Sequence, residues 1–434
     1  MNITYKTEPG GKLTGEIRVP GDKSISHRSI MLGSLAEGVT EVKGFLQGED
    51  SLATLQAFRS LGVKIEGPDN GLVRIHGVGM HGLRAADKPL DLGNSGTSMR
   101  LLSGLLAGQS FTSELVGDES LTKRPMRRVT EPLAQMGAII HTSETGTAPL
   151  TIEGGHRLNA IHYTMPVASA QVKSCLLLAG LYAQGQTCVT EPAPTRDHTE
   201  RMLQGFGYAV ERKDSTVCIR GGGRLTAAAL DVPADISSAA FFMVGASIAS
   251  GSDLVLKHVG INPTRIGVVN ILRQMGADIT LANQTTVSGE PVADVHIKSA
   301  PLTGIRIPED QVPLAIDEFP VLFVAAACAQ GQTVLTGARE LRVKESDRIQ
   351  VMADGLNSLG INAQPTDDGM VIEGGQITGG RVHSHGDHRI AMAFAMAALR
   401  SNGVIHIDDC ANVNTSFPDF VDLARSCGLN LSGQ

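Results

Sequence analysis

Six stretches of this 434-residue chain follow one plan. They are "GDKSISHRSIMLGSLAEG" from Gly21, "LGNSGTSMRLLSGLLAG" from Leu92, "MPVASAQVKSCLLLAGLYAQG" from Met165, "VPADISSAAFFMVGASIASG" from Val232, "VPLAIDEFPVLFVAAACAQG" from Val312 and "HSHGDHRIAMAFAMAALRSNG" from His383. Each opens on small or polar residues, runs into an apolar helix, and stops at a glycine: Gly38, Gly108, Gly185, Gly251, Gly331 or Gly403. A strand-like run follows each. A second helix then ends on Gly62, Gly137, Gly207, Gly276, Gly360 or Gly428, residues suited to a left-handed C-terminal stop. Copies recur every ~70 to 80 residues, so the unit is larger than a solenoid repeat. Its order is roughly βαβαββ.

Six units divide into two groups of three, with the chain crossing near residues 231–235 and again at Pro20-Gly21. The strand before Pro20, "GKLTGEIRV", then belongs with the C-terminal half. The expected domains are 21–236, and 1–20 joined to 237–434, the second being discontinuous. Hydrophobic residues make up 42% of the chain, enough for two cores. With no Trp and 3% aromatics, those cores must be aliphatic.

The net charge of −7 supplies no global field for nucleic acid or an anionic membrane, so any anion recognition must be local. No apolar run nears the ~18 residues that span a bilayer, and "MNITYKTEPGGK" lacks a signal-peptide core. The expectation is a cytoplasmic protein with no membrane or nucleic-acid partner. Six cysteines (Cys175, Cys188, Cys218, Cys328, Cys410, Cys427) are scattered without a C-x-x-C pair, which argues for reduced, mostly buried thiols and against a disulfide or zinc site.

Cations gather where helix dipoles disfavour them. Lys23, His27 and Arg28 fall in the opening turns of the first helix, whose N-terminus carries about half a positive charge. Capping residues explain any one helix start, Asp22, Asp235 and Asp387 included. Charges set among the caps suggest an anion trap. Ser24 and Arg28 share a helical face, as do Lys344 and Arg348 in "ELRVKESDRIQ", with Glu345 beside them. Arg124 precedes Pro125 in an extended connection, and "GDHRIAM" places Arg389 at a helix start. Arginine forks grip carboxylate or phosphate at two points, so the pattern fits a small ligand with several anionic groups.

The segments "GDKSISHR", "LGNSGTSMR", "RPMRRV", "ASAQVKS", "RDHTERML", "LRVKESDR" and "DHRIAM", in order over essentially the whole chain, resemble the 5-enolpyruvylshikimate-3-phosphate synthase family, its class II bacterial form above all. The resemblance implies an α/β two-domain enolpyruvyl transferase fold. Each domain would hold three βαβαββ repeats with helices inside and sheets outside (an inside-out α/β barrel), and the two would close on a cleft. It implies transfer of the enolpyruvyl group of phosphoenolpyruvate to the 5-hydroxyl of shikimate 3-phosphate, through a tetrahedral intermediate and with no cofactor or metal. The N-terminal domain would mainly serve shikimate 3-phosphate, the other mainly phosphoenolpyruvate and acid–base chemistry.

Residue by residue, the resemblance assigns Lys23 to both substrates. Ser24, Arg28, Ser169, Gln171, Arg196, Asp317 and Lys344 fall to shikimate 3-phosphate. Asn94, Gly96, Arg124, Gln171, Arg348 and Arg389 fall to phosphoenolpyruvate. Asp317 would accept the hydroxyl proton, and Glu345, with Lys23, would handle the proton at C3. Gly96 lets a backbone approach phosphate closely and leaves glyphosate, a phosphoenolpyruvate analogue, able to enter. The expected protein is a monomer. Thr415 in "NTSFPDF" stands where class I members have a lysine, as in other class II members.

Three alternatives remain beside this. A metal at His383, His385, Asp387 and His388 has no regular ligand spacing and no counterpart in the sister repeats. A UDP-N-acetylglucosamine enolpyruvyl transferase usually carries a reactive cysteine in its active loop, where "GDESLTKRPM" has none. A non-catalytic repeat module would not need Asp317 and Glu345 among so many cations.

Overall fold

The computed structural model describes residues 3–433. Twelve α-helices lie among the described residues, two per repeat: α1 Lys23–Leu35, α2 Glu49–Ser60, α3 Gly96–Ala107, α4 Arg127–Gln135, α5 Ala170–Gly180, α6 His198–Gly205, α7 Ile236–Ile248, α8 Gly267–Gln274, α9 Phe319–Cys328, α10 Arg348–Ser358, α11 His388–Ala397 and α12 Phe420–Cys427. The odd-numbered helices are buried almost all round, as helices with apolar or small residues on every face must be. The even-numbered ones bury one side only. None of the described helices is long and apolar enough to cross a membrane.

The chain folds into two compact units. One is Gly21–Val232 with Val287–Gly289; the other holds the residues up to Pro20, Pro233–Thr286 and the residues from Glu290 on. Each unit has its own core around three inner helices, α1, α3 and α5 or α7, α9 and α11; the second is not purely aliphatic, since Phe241, Phe242, Phe319, Phe323, Phe394, Phe417 and Phe420 are buried in it. Sheets surround them.

The second repeat shows the strand plan plainly. Leu90–Asp91 lies parallel to Ser113–Val116, which pairs antiparallel with Leu150–Ile152, itself antiparallel to Ile140–His141. The parallel pair wraps the inner helix as a βαβ crossover. The third repeat repeats this order, and the fifth keeps only bridges at Thr303 and Arg306 for its first strand.

The remaining repeats borrow strands across the crossings. Thr14–Ile17 pairs parallel with Asp253–Gly260 in the fourth repeat, placing the strand before Pro20 with the C-terminal half. Leu225–Thr226 and Ala229–Asp231, the run just before the fourth repeat, pair instead with Ala36–Lys43 of the first. In the sixth repeat Tyr5–Thr7 lies between Ile405–Asp408 and Leu431–Gly433, antiparallel to both.

The glycine stops separate into two kinds. Gly62, Gly137, Gly207, Gly276, Gly360 and Gly428 all have positive φ. After each, the next residue's N–H reaches back five residues: Val63 to Phe58, Ala138 to Leu133, Tyr208 to Leu203, Ala277 to Leu272, Ile361 to Leu356, Leu429 to Ala424. This is the Schellman closure, made six times. The glycines after the inner helices are not uniform caps. Gly38, Gly185, Gly251 and Gly331 have positive φ but lie beyond the helix ends, and Gly108 caps α3 at φ −87°.

One expectation is overturned. Cys188 and Cys218 form a disulfide. They face each other directly on the antiparallel strands Gln186–Thr190 and Thr216–Arg220, with Cα atoms 4.1 Å apart. Thirty residues of separation hid in sequence a pairing that only the strand register creates. Cys175, Cys410 and Cys427 are free and buried, and burial raises each thiol's pKa.

Candidate active site

In the unit built on Gly21–Val232, α1 begins where Asp22 accepts a hydrogen bond from the Ile25 N–H at 2.9 Å. Gly21 is required there, because a Cβ would lie 1.8 Å from the Gly44 carbonyl oxygen. The helix start thereby docks on neighbouring backbone and presents Lys23, whose ammonium sits 3.0 Å from Asp50 of α2. Asp50 partly offsets the cations of the opening turns. Burial, with Lys23 and Arg28 nearby, holds the His27 imidazole well below its ordinary pKa. His27 Nδ1 lies 2.8 Å from Thr54 Oγ1 and 3.3 Å from Ser98 Oγ, tying α1 to α2 and α3.

Arg28 turns inward. Its Nε donates to Thr199 Oγ1 at 2.7 Å, Nη1 to the Ser24 carbonyl at 2.9 Å, and Nη2 to Ser174 Oγ at 2.8 Å. It joins α1 to α5 and α6. Ser169 caps α5, accepting from the Val172 N–H at 3.3 Å. Arg196 is half-buried in the turn that leads into α6.

Asn94, Gly96, Arg124 and Gln171 are brought together. Arg124 is extended, at φ −81° and ψ 136°, and donates to the Asn94 carbonyl (3.1 Å), Asn94 Oδ1 (2.6 Å) and Ser120 Oγ (3.1 Å). Gln171 accepts from Arg100 Nη1 at 2.5 Å and donates to Thr97 Oγ1 at 3.0 Å. A Cβ on Gly96 would lie 3.1 Å from Arg124 Nη1 and 3.2 Å from Arg100 Nη1. Glycine therefore lets two guanidinium groups stand close in front of a helix N-terminus, an arrangement suited to phosphate. Arg100 is a member of this group without an assigned role from the resemblance; its place at the end of "LGNSGTSMR", four residues after Gly96, is the signal the sequence carries for it.

In the other unit, Asp317, Lys344, Glu345, Arg348 and Arg389 form one cluster. Arg348 has 0% exposure. Its Nε donates to Asp387 Oδ2 at 2.8 Å, Nη1 to Asp317 Oδ1 at 3.3 Å, and Nη2 to Glu345. Burial works against that charge, and Asp387, Glu345 and Asp317 outweigh it, so the guanidinium pKa is raised. Lys344 Nζ lies 3.7 Å from Asp317 Oδ1. Arg389 donates to the Asp317 carbonyl at 3.2 Å and stands 4.0 Å from Glu318. Asp387 also caps α11, accepting from the Arg389 N–H at 3.0 Å, and accepts from Ser346 Oγ at 3.1 Å.

Lys344 and Arg348 do not share a helical face. Asp347 caps α10, so the helix starts only at Arg348, and Lys344 ends the preceding 3-10 turn Arg339–Val343. They meet through Asp317. Glu318 reads in the sequence only as the start of an apolar run, while Asp387, beside Arg389 in "GDHRIAM", joins the cluster through Arg348. His383, His385, Asp387 and His388 form no converging ligand set among the described residues. Thr415 is buried, its hydroxyl donating to the Asn412 carbonyl at 2.7 Å.

Carboxylates wedged among lysine and arginine, on helix starts of a repeated α/β frame, define a class: enzymes that move protons and groups on small polyanions. The comparisons with known proteins narrow it. The family model for EPSP synthase (3-phosphoshikimate 1-carboxyvinyltransferase) matches residues 7–423. The 3-phosphoshikimate 1-carboxyvinyltransferase of Methylococcus capsulatus is 70% identical over 430 residues, 99% of this chain and 98% of that protein. That of Alkalilimnicola ehrlichii is 68% identical over 431 residues, 99% and 97% of the two chains. The solved EPSP synthase of Acinetobacter baumannii matches with a TM-score of 0.90 at 60% identity, covering 100% of both chains. The chain belongs to the EPSP synthase family, the 3-phosphoshikimate 1-carboxyvinyltransferases.

Proposed function

We propose that this enzyme joins phosphoenolpyruvate to the 5-hydroxyl of shikimate 3-phosphate, releasing inorganic phosphate and 5-enolpyruvylshikimate 3-phosphate on the route to chorismate and the aromatic amino acids. The observation that carries the proposed roles is the Asp317–Lys344–Glu345–Arg348–Arg389 cluster, two carboxylates of which flank one buried guanidinium.

In the addition step Asp317 takes the proton of the 5-hydroxyl while the hydroxyl oxygen bonds to C2 of phosphoenolpyruvate. C3 becomes a methyl group by receiving a proton from Glu345, with Lys23 as the alternative donor. The product is a tetrahedral ketal phosphate. In the elimination step C3 returns a proton, the double bond re-forms, and the C2–O bond to phosphate breaks. No enzyme nucleophile is needed. Fixed donors stabilise the charge that develops.

Asn94, Gly96, Arg124, Gln171, Arg348, Arg389 and Lys23 are assigned to phosphoenolpyruvate. Lys23, Ser24, Arg28, Ser169, Gln171, Arg196, Asp317 and Lys344 are assigned to shikimate 3-phosphate. Arg348 and Arg389 support their assignment by their anchoring: Asp387 and the Asp317 carbonyl hold them, so a substrate carboxylate or phosphate need only replace the Glu345 and Asp317 side-chain contacts. Arg28 supports its assignment by its own anchoring, held by the Ser24 carbonyl, Ser174 and Thr199. Glyphosate competes with phosphoenolpyruvate in the space that Gly96 leaves, and the enzyme works as a cytoplasmic monomer.

The test is phosphate release by the purified chain with both substrates and no added metal, run beside Asp317→Ala. Release that requires both substrates is expected. The variant should lose ~10²- to 10⁴-fold in kcat, the usual contribution of a general base, with its circular dichroism unchanged. Turnover equal to the parent would remove Asp317 from the mechanism, and release with UDP-N-acetylglucosamine in place of shikimate 3-phosphate would overturn the substrate.

A further inference from the structure

Lys173, two residues beyond Gln171 on α5, has 0% exposure. A lysine so placed needs its charge met inside the protein. Glu191, just past the strand Gln186–Thr190, contacts its ammonium directly, and Glu200 in the first turn of α6 lies 2.7 Å away. Both glutamates are buried. Arg212 approaches them from the strand Glu211–Lys213, one strand beyond Thr216–Arg220 in the same sheet, at 3.5 Å from Glu191 and 3.9 Å from Glu200.

Apolar side chains of similar volume would fill this space as stably, so the charges call for a geometric explanation. Glu191 supplies one. Its Oε1 accepts from the Thr195 hydroxyl at 2.6 Å and its Oε2 from the Thr195 N–H at 3.4 Å. The next residue is Arg196. On the far side of the turn, Glu200 returns to the same lysine, and Thr199 Oγ1 donates to Ser174 Oγ at 2.7 Å. The segment carrying Arg196 is therefore pinned at both ends to adjacent residues of α5, the helix whose first turn carries Gln171.

We propose that Glu191, locked by Lys173, is a positioning residue for Arg196 and thereby sets affinity for the phosphorylated acceptor rather than for phosphoenolpyruvate. This rests on the assignment of Arg196 to shikimate 3-phosphate. Four variants separate the outcomes by steady-state kinetics in each substrate: Thr195→Val, which removes the hydroxyl at nearly equal volume, Thr195→Ser, which restores it, Glu191→Gln, and Arg196→Ala as reference.

Thr195→Val and Glu191→Gln should raise the KM for shikimate 3-phosphate by ~10- to 150-fold, the scale of one hydrogen bond to a charged group. The KM for phosphoenolpyruvate and kcat should stay within about twofold, and Thr195→Ser should match the parent. A raised KM in Arg196→Ala beside unchanged Thr195→Val and Glu191→Gln would refute the positioning role alone. Equal rises for both substrates would reduce it to general structure. An unchanged KM in Arg196→Ala would overturn the assignment of Arg196 itself, and the proposal with it.

Discussion

Arg124 and His27 are single side chains on which opposite demands fall. Arg124 is held by Asn94 and Ser120 with its fork beside Gly96, so removing it takes away a fixed donor pair without opening the core. Arg124→Ala should raise the KM for phosphoenolpyruvate far more than that for shikimate 3-phosphate, a loss of ~2 to 5 kcal/mol if the ion pair is desolvated. Steady-state kinetics in each substrate decide, and equal losses would mean the arginine is misassigned. His27 is buried with its pKa depressed, so the unfolded chain binds more protons than the folded one below the ordinary imidazole value of ~6.5. Its contribution to stability is complete above that pH and falls as pH drops toward the lowered folded value, by at most ~1.4 kcal/mol per pH unit. His27→Asn should therefore show a smaller drop in urea midpoint between pH 7.5 and 5.5 than the parent; an equal drop would mean His27 is not the group responsible. The cations of the site were legible because they stand in recognisable segments at helix starts. Asp50 and Glu318 were not, because the partner of each comes from another element and no spacing announces a contact made by packing.

At the scale of elements, glycine marks two separate needs. Six of them end the outer helices with the same backbone closure, and that punctuation was readable. Others exist because two helices touch, which no local pattern reveals. A Cβ on Gly104 of α3 would lie 2.0 Å from the Cys175 carbonyl oxygen of α5, whereas one on Gly205 of α6 would meet nothing within 4 Å. Gly104→Ala should destabilise by ~1 to 3 kcal/mol or more in urea denaturation, since backbone must move. Gly205→Ala should be neutral or gain up to ~1 kcal/mol from helix propensity. Similar values for the two would show that α3 and α5 adjust without strain. The extent of a helix was less readable than its existence: Asp347 delays α10 until Arg348, which is why the face assumed for Lys344 does not form. The Cys188–Cys218 bond escaped for a related reason, since register between strands is a property of the sheet and not of either run of residues.

At the scale of the molecule, six-fold repetition was the strongest sequence signal: it gave six βαβαββ units in two groups of three, while the placing of helices inside and sheets outside came from the family resemblance. What the repetition did not carry is the placing of Tyr5–Thr7. Three residues show no periodicity, yet they supply an interior strand of the last repeat's sheet. Deleting residues 1–8 should leave Ile405–Asp408 and Leu431–Gly433 with exposed edges and lower the thermal midpoint. Limited proteolysis read by mass spectrometry should then show early cuts after residue 400 while 21–232 stays intact. Cleavage starting instead within 21–232 would refute this division of stability.

The same strand bears on how the chain matures on the ribosome. Tyr5–Thr7 leaves the ribosome long before its sheet neighbour Leu431–Gly433. The unit from Pro233 onward cannot complete its final sheet until Leu431–Gly433 has been made, whereas the unit on Gly21–Val232 waits only for Val287–Gly289. A stalled or prematurely terminated nascent chain would leave one lobe finished and the other an unclosed sheet, the kind of edge on which aggregation and quality control act.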